Sequence, residues 1–122
     1  MTFKLSQKSL DKLVGVDPKL VSVVKRAIEI SSVDFSVGEG LRTFERQQQL
    51  VKEGKSQTLN SKHLKGLAVD LWVFKDGKIT WDKQAYVDFA PTMKQAAKEL
   101  GVSIRWGGDF KSFFDGPHFE LV

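Results

Sequence analysis

The spacing of apolar residues, together with capping residues, predicts four helices in this chain. They are a short helix around residues 10–14, a helix over residues 18–31, a helix from residue 43 to about residue 53, and a helix from residue 82 to residue 100. Asp17, Thr43 and Asp82 stand where N-caps are expected, because their side-chain oxygens can accept a hydrogen bond from the first turn. Pro91 lies inside the last helix, so we expect that helix to be kinked or split in two.

Alternating or continuous apolar stretches predict strands between these helices. The predicted strands cover residues 33–41, 67–74, 78–80, 102–106 and 117–122. The pair Asp76-Gly77 predicts a tight hairpin turn after the second strand, and residues 55–66 are polar enough to form a loop. Because most strands follow hairpin-like links, the pattern favours an α+β fold in which a small antiparallel sheet packs against helices.

Composition limits the classes of protein that this chain can represent. Its 122 residues, 41% of them hydrophobic, suit a single globular domain over residues 1–122. The absence of cysteine excludes a thiolate zinc finger, an iron–sulfur cluster and a cysteine nucleophile. The net charge of +4 favours anionic partners such as an acidic cell-wall polymer, but the basic residues are scattered, so we expect no nucleic-acid reading surface.

The beginning of the chain and its apolar runs bear on targeting. Residues 1–8 contain no apolar stretch of the length found in a secretory signal peptide, and no apolar run approaches the ~20 residues that span a bilayer. We therefore expect no Sec-type signal and no membrane insertion.

Candidate chemistry gathers around the two histidines of the chain. His63 precedes a strand that carries Asp70 among apolar residues, and His118 begins the last predicted strand three residues after Asp115. A lone histidine is more often a surface or core residue, and Asp70 could be solvated on an edge strand or paired with a lysine. The alternative is that His63, Asp70 and His118 converge on one metal ion, since a carboxylate on an apolar face needs a cation or several donors.

Two imidazoles and one carboxylate would leave a zinc ion with an open position, which is typical of catalytic zinc sites. Asp115 fits the role of a carboxylate that moves a proton without binding the metal. Arg42, at the junction of a predicted strand and helix, could hold substrate or stabilise an oxyanion.

The order and spacing of these residues resemble a known family. The segment Ser61-x-His63-x2-Gly66-x-Ala68-x-Asp70, followed by Asp115-x2-His118-Phe119, is similar to the signature of the M15 family of zinc peptidases. That family includes VanX/VanY-like D-Ala-D-Ala dipeptidases and carboxypeptidases together with phage L-alanyl-D-glutamate endopeptidases. Residues 105–110 (RWGGDF) resemble the phage endolysin branch, and residues 40–43 (GLRT) with Glu45 and Gln47 resemble the arginine-bearing segment of the family.

The resemblance implies specific roles and a specific fold. It implies a Hedgehog/DD-peptidase-like domain, zinc held by His63, Asp70 and His118, Asp115 as catalytic base, and Arg42 and Ser61 in contact with substrate. Many relatives carry Glu where this chain has Asp115, and the shorter side chain is closer to the endopeptidase branch.

The resulting expectation is an endolysin that cleaves the L-Ala–D-Glu bond of peptidoglycan stem peptides. Such a protein would act as a monomer and would remain in the host cytoplasm until it is released to the cell wall. D-Ala-D-Ala hydrolysis on the same scaffold is the nearest alternative, and a non-catalytic wall-binding module is an alternative of another class. Glu120 is expected either to orient His118 or to be a solvated strand residue, whereas Lys62 and Lys65 are expected only to raise the local positive potential.

Overall fold

The antiparallel sheet lies at the centre of the protein, which we describe from a computed structural model over residues 3–56 and 61–122. Its strands are β1 (Phe35–Glu39), β2 (Ala68–Lys75), β3 (Lys78–Ile79), β4 (Ile104–Trp106) and β5 (His118–Leu121). The order across the sheet is β1-β2-β5-β4, and β3 pairs with the far end of β2. Every pairing is antiparallel, as the sequence predicts.

Four helices begin at or near the predicted positions. They are α1 (Gln7–Lys12), α2 (Pro18–Ile30), α3 (Phe44–Lys52) and α4 (Lys83–Leu100). Asp17, Thr43 and Asp82 cap α2, α3 and α4 through their side-chain oxygens, which confirms the three predicted N-caps. None of the helices in the described part of the chain combines the length and apolarity needed to cross a bilayer.

Of the two effects predicted for Pro91, a kink or a split of the last helix, the split does not occur. α4 runs through Pro91 as one helix of 18 residues. A proline in a helix interior costs about 3 kcal/mol, because one backbone hydrogen bond is lost and the ring crowds the preceding turn. The apolar stripe of α4 offsets this cost by burial in the core, where its members are Tyr86, Phe89, Ala90, Met93, Ala96 and Ala97.

The two faces of β2 serve different purposes. Val69, Leu71 and Val73 are buried in the core together with residues of α2 and α4. Because side chains alternate along a strand, Asp70 and Trp72 point to the opposite face. This second face carries the candidate site.

Several boundaries differ from the sequence prediction. The first helix, predicted around residues 10–14, covers Gln7–Lys12, and the fourth strand, predicted over residues 102–106, covers Ile104–Trp106. The first strand is shorter than residues 33–41, and its register with β2 shifts between Val37 and Glu39, at Gly38. A Cβ on Gly38 would lie 2.0 Å from the Trp72 ring, so the ring occupies the space that a side chain would need. The predicted loop over residues 55–66 contains a 3₁₀ helix at Lys62–Lys65, and residues 57–60 of that loop lie outside the described residues.

Candidate active site

His63 is held in the 3₁₀ helix by contacts on both sides of its ring. Ser61 caps this helix, and its hydroxyl oxygen accepts a hydrogen bond from the His63 backbone N–H at 3.2 Å. The buried ring donates from Nδ1 to the Gly40 carbonyl at 2.9 Å, since a carbonyl oxygen can only accept. Nε2 is therefore the nitrogen that faces Asp70, 3.2 Å from its Oδ1.

His118 reaches the same carboxylate from the neighbouring strand. The Cα atoms of Asp70 and His118 are register partners between β2 and β5, so both side chains project from the same face of the sheet. His118 Nδ1 lies 3.4 Å from Asp70 Oδ1, while Nε2 lies 2.8 Å from Glu120 Oε1. His63 thus faces Asp70 Oδ1 with its Nε2 atom, whereas His118 faces the same oxygen with its Nδ1 atom.

The three residues together can hold a metal ion. One ligand atom from each of His63, Asp70 and His118 lies within 4.8 Å of the other two. Two imidazole nitrogens and a carboxylate oxygen form a donor set that suits zinc, and three protein ligands leave room for a further, non-protein ligand. The convergence predicted from the sequence is therefore present in the structure.

Arg42 enters the site in a fixed orientation. Its Nε and Nη2 donate to the two carboxylate oxygens of Glu39 at 2.8 and 2.9 Å, and Nη1 donates to Gln47 Oε1 at 2.7 Å. Nη2 also lies 3.7 Å from Asp70 Oδ2. The role of Glu39 is not predicted above, although its position three residues before Arg42, at the end of a strand, was an available signal.

Asp115 lies in the loop that leads into β5. Its backbone N–H donates to the Gly107 carbonyl at 3.0 Å, and its own carbonyl accepts from the His118 N–H at 3.2 Å. Trp106 Nε1 donates to the Gly116 carbonyl at 2.7 Å and anchors the same loop. The Asp115 carboxylate is consequently held 4.0 Å from His118 Nδ1.

Comparison with known proteins identifies the family that shares this arrangement. The whole chain, residues 1–122, matches the family described as phage L-alanyl-D-glutamate peptidase. The L-alanyl-D-glutamate peptidase of Escherichia phage T5 is 35% identical over the full length of both chains. The chain belongs to the phage L-alanyl-D-glutamate peptidase family.

Solved structures share the fold of this peptidase. The crystal structure of the Serratia marcescens L-Ala D-Glu endopeptidase ChiX matches with a TM-score of 0.91 and 42% identity, and the match covers 98% of this chain and 90% of that chain. The vancomycin-resistance D,D-dipeptidase VanXYg matches with a TM-score of 0.56 and 18% identity over 87% of this chain and 50% of that chain, a likeness of fold alone. These matches confirm the predicted fold class and the resemblance to the phage endopeptidase branch.

The pKa values of Asp70 and Asp115 shift in opposite directions. Burial and the negative charge of Asp70 raise the pKa of the Asp115 carboxyl above its ordinary value. Burial would also raise the pKa of Asp70, but hydrogen bonds and positive charge from His118 and His63 outweigh burial and hold that pKa well below the ordinary range. Neighbouring carboxyl groups whose pKa values shift in opposite directions are typical of sites in which the two groups have different roles.

The predicted site residues all face one cleft of the peptidase. The cleft has a volume of about 730 Å³, and Phe110 and Phe113 add apolar surface to its lining. The six predicted site residues that line it are Arg42, Ser61, His63, Asp70, Asp115 and His118. Ser61 thus both faces the cleft and caps the segment that holds His63.

Proposed function

We propose that this peptidase is a zinc-dependent endolysin that hydrolyses the L-Ala–D-Glu bond in the stem peptides of bacterial peptidoglycan, with His63, Asp70 and His118 as the zinc ligands. The observation that carries this proposal is the convergence of three ligand atoms within 4.8 Å in a chain that belongs to the L-alanyl-D-glutamate peptidase family. The whole chain would act as one catalytic domain.

The residues around the metal-binding group supply the remaining chemistry. A zinc ion held by His63, Asp70 and His118 would act as a Lewis acid and make water more acidic. Asp115, 4.0 Å from His118 Nδ1 and 40% exposed, can take a proton from the attacking water, whose oxygen bonds to the scissile carbonyl carbon. The same carboxyl group then gives the proton to the departing amine nitrogen as the C–N bond breaks.

Arg42 and Ser61 are placed to contact the substrate. Arg42 uses one N–H at each of its three nitrogens on Glu39 and Gln47, so two of its five N–H donors make no hydrogen bond to a described residue. One of these two is on Nη2, which lies 3.7 Å from Asp70 Oδ2. A donor held rigidly beside the cleft stabilises an oxyanion at little cost in reorganisation. The Ser61 oxygen accepts from His63, and its hydroxyl hydrogen donates to no residue within 3–56 or 61–122, so it can bind a substrate carbonyl.

A bound divalent cation would make the cleft favourable for an acidic peptide. The charged side chains that line it are three cations (Arg42, Lys55 and Lys62) and four carboxylates (Glu39, Asp70, Asp115 and Glu120). With the two charges of a zinc ion added, the balance becomes positive, and a peptide that carries the free carboxylates of a peptidoglycan stem would be attracted. The D-Glu residue on the leaving side of the bond provides one of these carboxylates.

Digestion of purified peptidoglycan tests the bond that is cut. We expect new N-terminal D-Glu in the digest, identified by terminal labelling and mass spectrometry. Release of free D-Ala without new D-Glu termini would instead indicate D-Ala-D-Ala hydrolysis. Binding of the wall without any new terminus would indicate a non-catalytic module.

Chelation tests the dependence on zinc. Lysis of outer-membrane-permeabilised cells is expected to stop in EDTA and to return when zinc is added in excess of the chelator. Activity that persists in a metal-free sample, verified by elemental analysis, would contradict the zinc proposal. The monomeric state, the lack of nucleic-acid binding and residence in the host cytoplasm before release stay predictions from the sequence.

A further inference from the structure

Glu120 contacts the imidazole nitrogen of His118 that faces away from Asp70. Glu120 Oε1 lies 2.8 Å from His118 Nε2, and Glu120 is 8% exposed. The sequence left open whether Glu120 is solvated or orients His118. The structure excludes the solvated alternative.

The other oxygen of the Glu120 carboxylate forms an ion pair with Lys62. Lys62 Nζ lies 3.1 Å from Glu120 Oε2, and it donates to the Leu121 carbonyl at 2.6 Å. Lys62 is therefore tied both to the carboxylate and to the backbone of β5. The prediction that Lys62 only raises the local potential is incomplete, because it also forms a specific ion pair.

Strand geometry explains why Glu120 reaches His118. The two residues lie on the same face of β5, and Ala68 is the register partner of Glu120 in β2, so a small side chain stands opposite the carboxylate. The register partner in β4 is Arg105, whose guanidinium lies over the Phe110 ring, 4.9 Å from the ring centroid. Lys62 thus serves as the cation for Glu120.

We propose that Glu120, held in place by Lys62, is a positioning residue that fixes the His118 ring so that Nδ1 is presented to the metal. This inference rests on the proposed function for the identity of the metal. A ring that donates Nε2–H to a fixed carboxylate must offer the lone pair of Nδ1, since only one nitrogen of a neutral imidazole carries hydrogen. His63 has the opposite tautomer, because its Nδ1–H donates to the Gly40 carbonyl and its Nε2 lone pair is left for the metal.

Substitutions at both ends of the Lys62–Glu120 pair test the proposal. Loss of such a partner typically weakens metal binding by about 10- to 100-fold, so we expect this increase in the zinc dissociation constant of Glu120→Ala, measured by competition with a chromophoric chelator. Glu120→Gln keeps the side-chain shape and one acceptor oxygen, so a smaller increase is expected. Lys62→Ala should also weaken zinc binding, whereas Lys65→Ala is the matched control.

Lys65 suits this control because it belongs to the same 3₁₀ helix, is exposed and forms no ion pair with any described residue. ¹⁵N-histidine spectra of the zinc-loaded protein provide a readout that does not depend on activity. We expect a zinc-bound Nδ1 and a protonated Nε2 for His118. In Glu120→Ala, the spectra should show that the Nε2–H signal broadens or that a second mode of binding occurs.

The outcomes separate this inference from the proposed function. If folded Glu120→Gln and Glu120→Ala bind zinc as tightly as the unchanged protein, the positioning role is overturned while the zinc site stands. The same holds if the Lys62→Ala and Lys65→Ala variants do not differ. If Glu120→Ala does not fold, Glu120→Gln and Lys62→Ala decide the question. If the unchanged protein binds no zinc, the proposed function fails, and the positioning role fails with it.

Discussion

Arg42 and Glu39 form a two-pronged ion pair, in which Nε and Nη2 of one guanidinium donate to both oxygens of one carboxylate at 2.8 and 2.9 Å. The Arg42 side chain is 8% exposed, so this pairing takes place largely out of solvent. A planar guanidinium held at two nitrogens cannot swing, and the direction of its remaining N–H groups is set by the fold.

Arg42→Lys is expected to weaken both stability and catalysis. An ammonium group cannot bond both Glu39 oxygens and Gln47 in the same geometry. We expect the free energy of unfolding to fall by about 2 kcal/mol, measured by urea denaturation, since charged hydrogen bonds are lost. Because the proposed oxyanion donor is removed as well, kcat/KM on a stem peptide should fall about 100-fold.

Glu39→Gln is the comparison for Arg42→Lys. It keeps the arginine in the cleft but loosens its support, so a similar loss of stability with a smaller loss of kcat/KM is expected. Equal losses of activity in the two variants would mean that Arg42 acts only through the fold.

Asp115→Asn should separate catalysis from metal binding. The amide cannot accept a proton from water, and loss of a general base lowers rates by about 100- to 10,000-fold. Zinc content, measured by elemental analysis, should remain at that of the unchanged protein, because Asp115 is not among the metal-binding residues. Asp109→Asn is the matched control, since Asp109 is an exposed carboxylate paired with Lys94. Loss of zinc from Asp115→Asn would make Asp115 a ligand instead of a base.

Gly107→Ala is expected to displace the loop that carries Asp115. A Cβ on Gly107 would lie 2.2 Å from the Asp115 carbonyl oxygen and 2.9 Å from the His118 Cβ, so backbone must move. We expect a loss of about 1–3 kcal/mol in stability, measured by thermal unfolding, together with a lower kcat.

Gly101→Ala is the control for Gly107→Ala, because Gly101 lies at the end of α4 and has no close neighbour. Its φ of +68° makes alanine strained, but a Cβ there meets nothing within 4 Å. A loss of about 1–2 kcal/mol in stability with an unchanged kcat is therefore expected. If Gly107→Ala behaves in the same way, the close packing of Gly107 has no effect on the site.

Removal of the metal should leave the protein folded. Among the described residues, every buried side-chain nitrogen and oxygen already has a hydrogen-bond partner, including those of His63 and His118. Circular dichroism in EDTA should therefore match that of the zinc-loaded protein. Zinc at 100 times its dissociation constant should add about 2.7 kcal/mol to the free energy of unfolding, because it binds the folded state. Unfolding on addition of EDTA would show that the site is not preformed.

Local signals in the sequence were sufficient to predict much of the fold. The turn at Asp76-Gly77 has positive φ at both residues, as its type requires, and the predicted caps are present. The site residues were found because the motif uses both histidines of the chain. The continuity of α4 through Pro91 could not be predicted, because it depends on packing against distant residues.

The supports of the site were harder to predict than its ligands. Glu39 and Arg42 are only three residues apart, so their spacing was an available signal, but Lys62 and Glu120 are brought together by the contact of a 3₁₀ helix with β5. That contact has no clear sequence pattern. Charges that are widely separated in sequence pair according to tertiary structure, so sequence analysis identified Lys62 as a charge without its partner.

Because side chains alternate along β2, the pairing register of this strand determines both the packing of the core and the position of Asp70. A slip of one residue in its pairing would turn Asp70 inward and Val69 outward, and would destroy the core and the metal ligands in one event. Adjacent positions of this strand thus meet two separate requirements, core packing at Val69 and the proposed metal site at Asp70. We expect substitutions that change the preferred cell wall without loss of folding to lie in the loops around the cleft and not in β2.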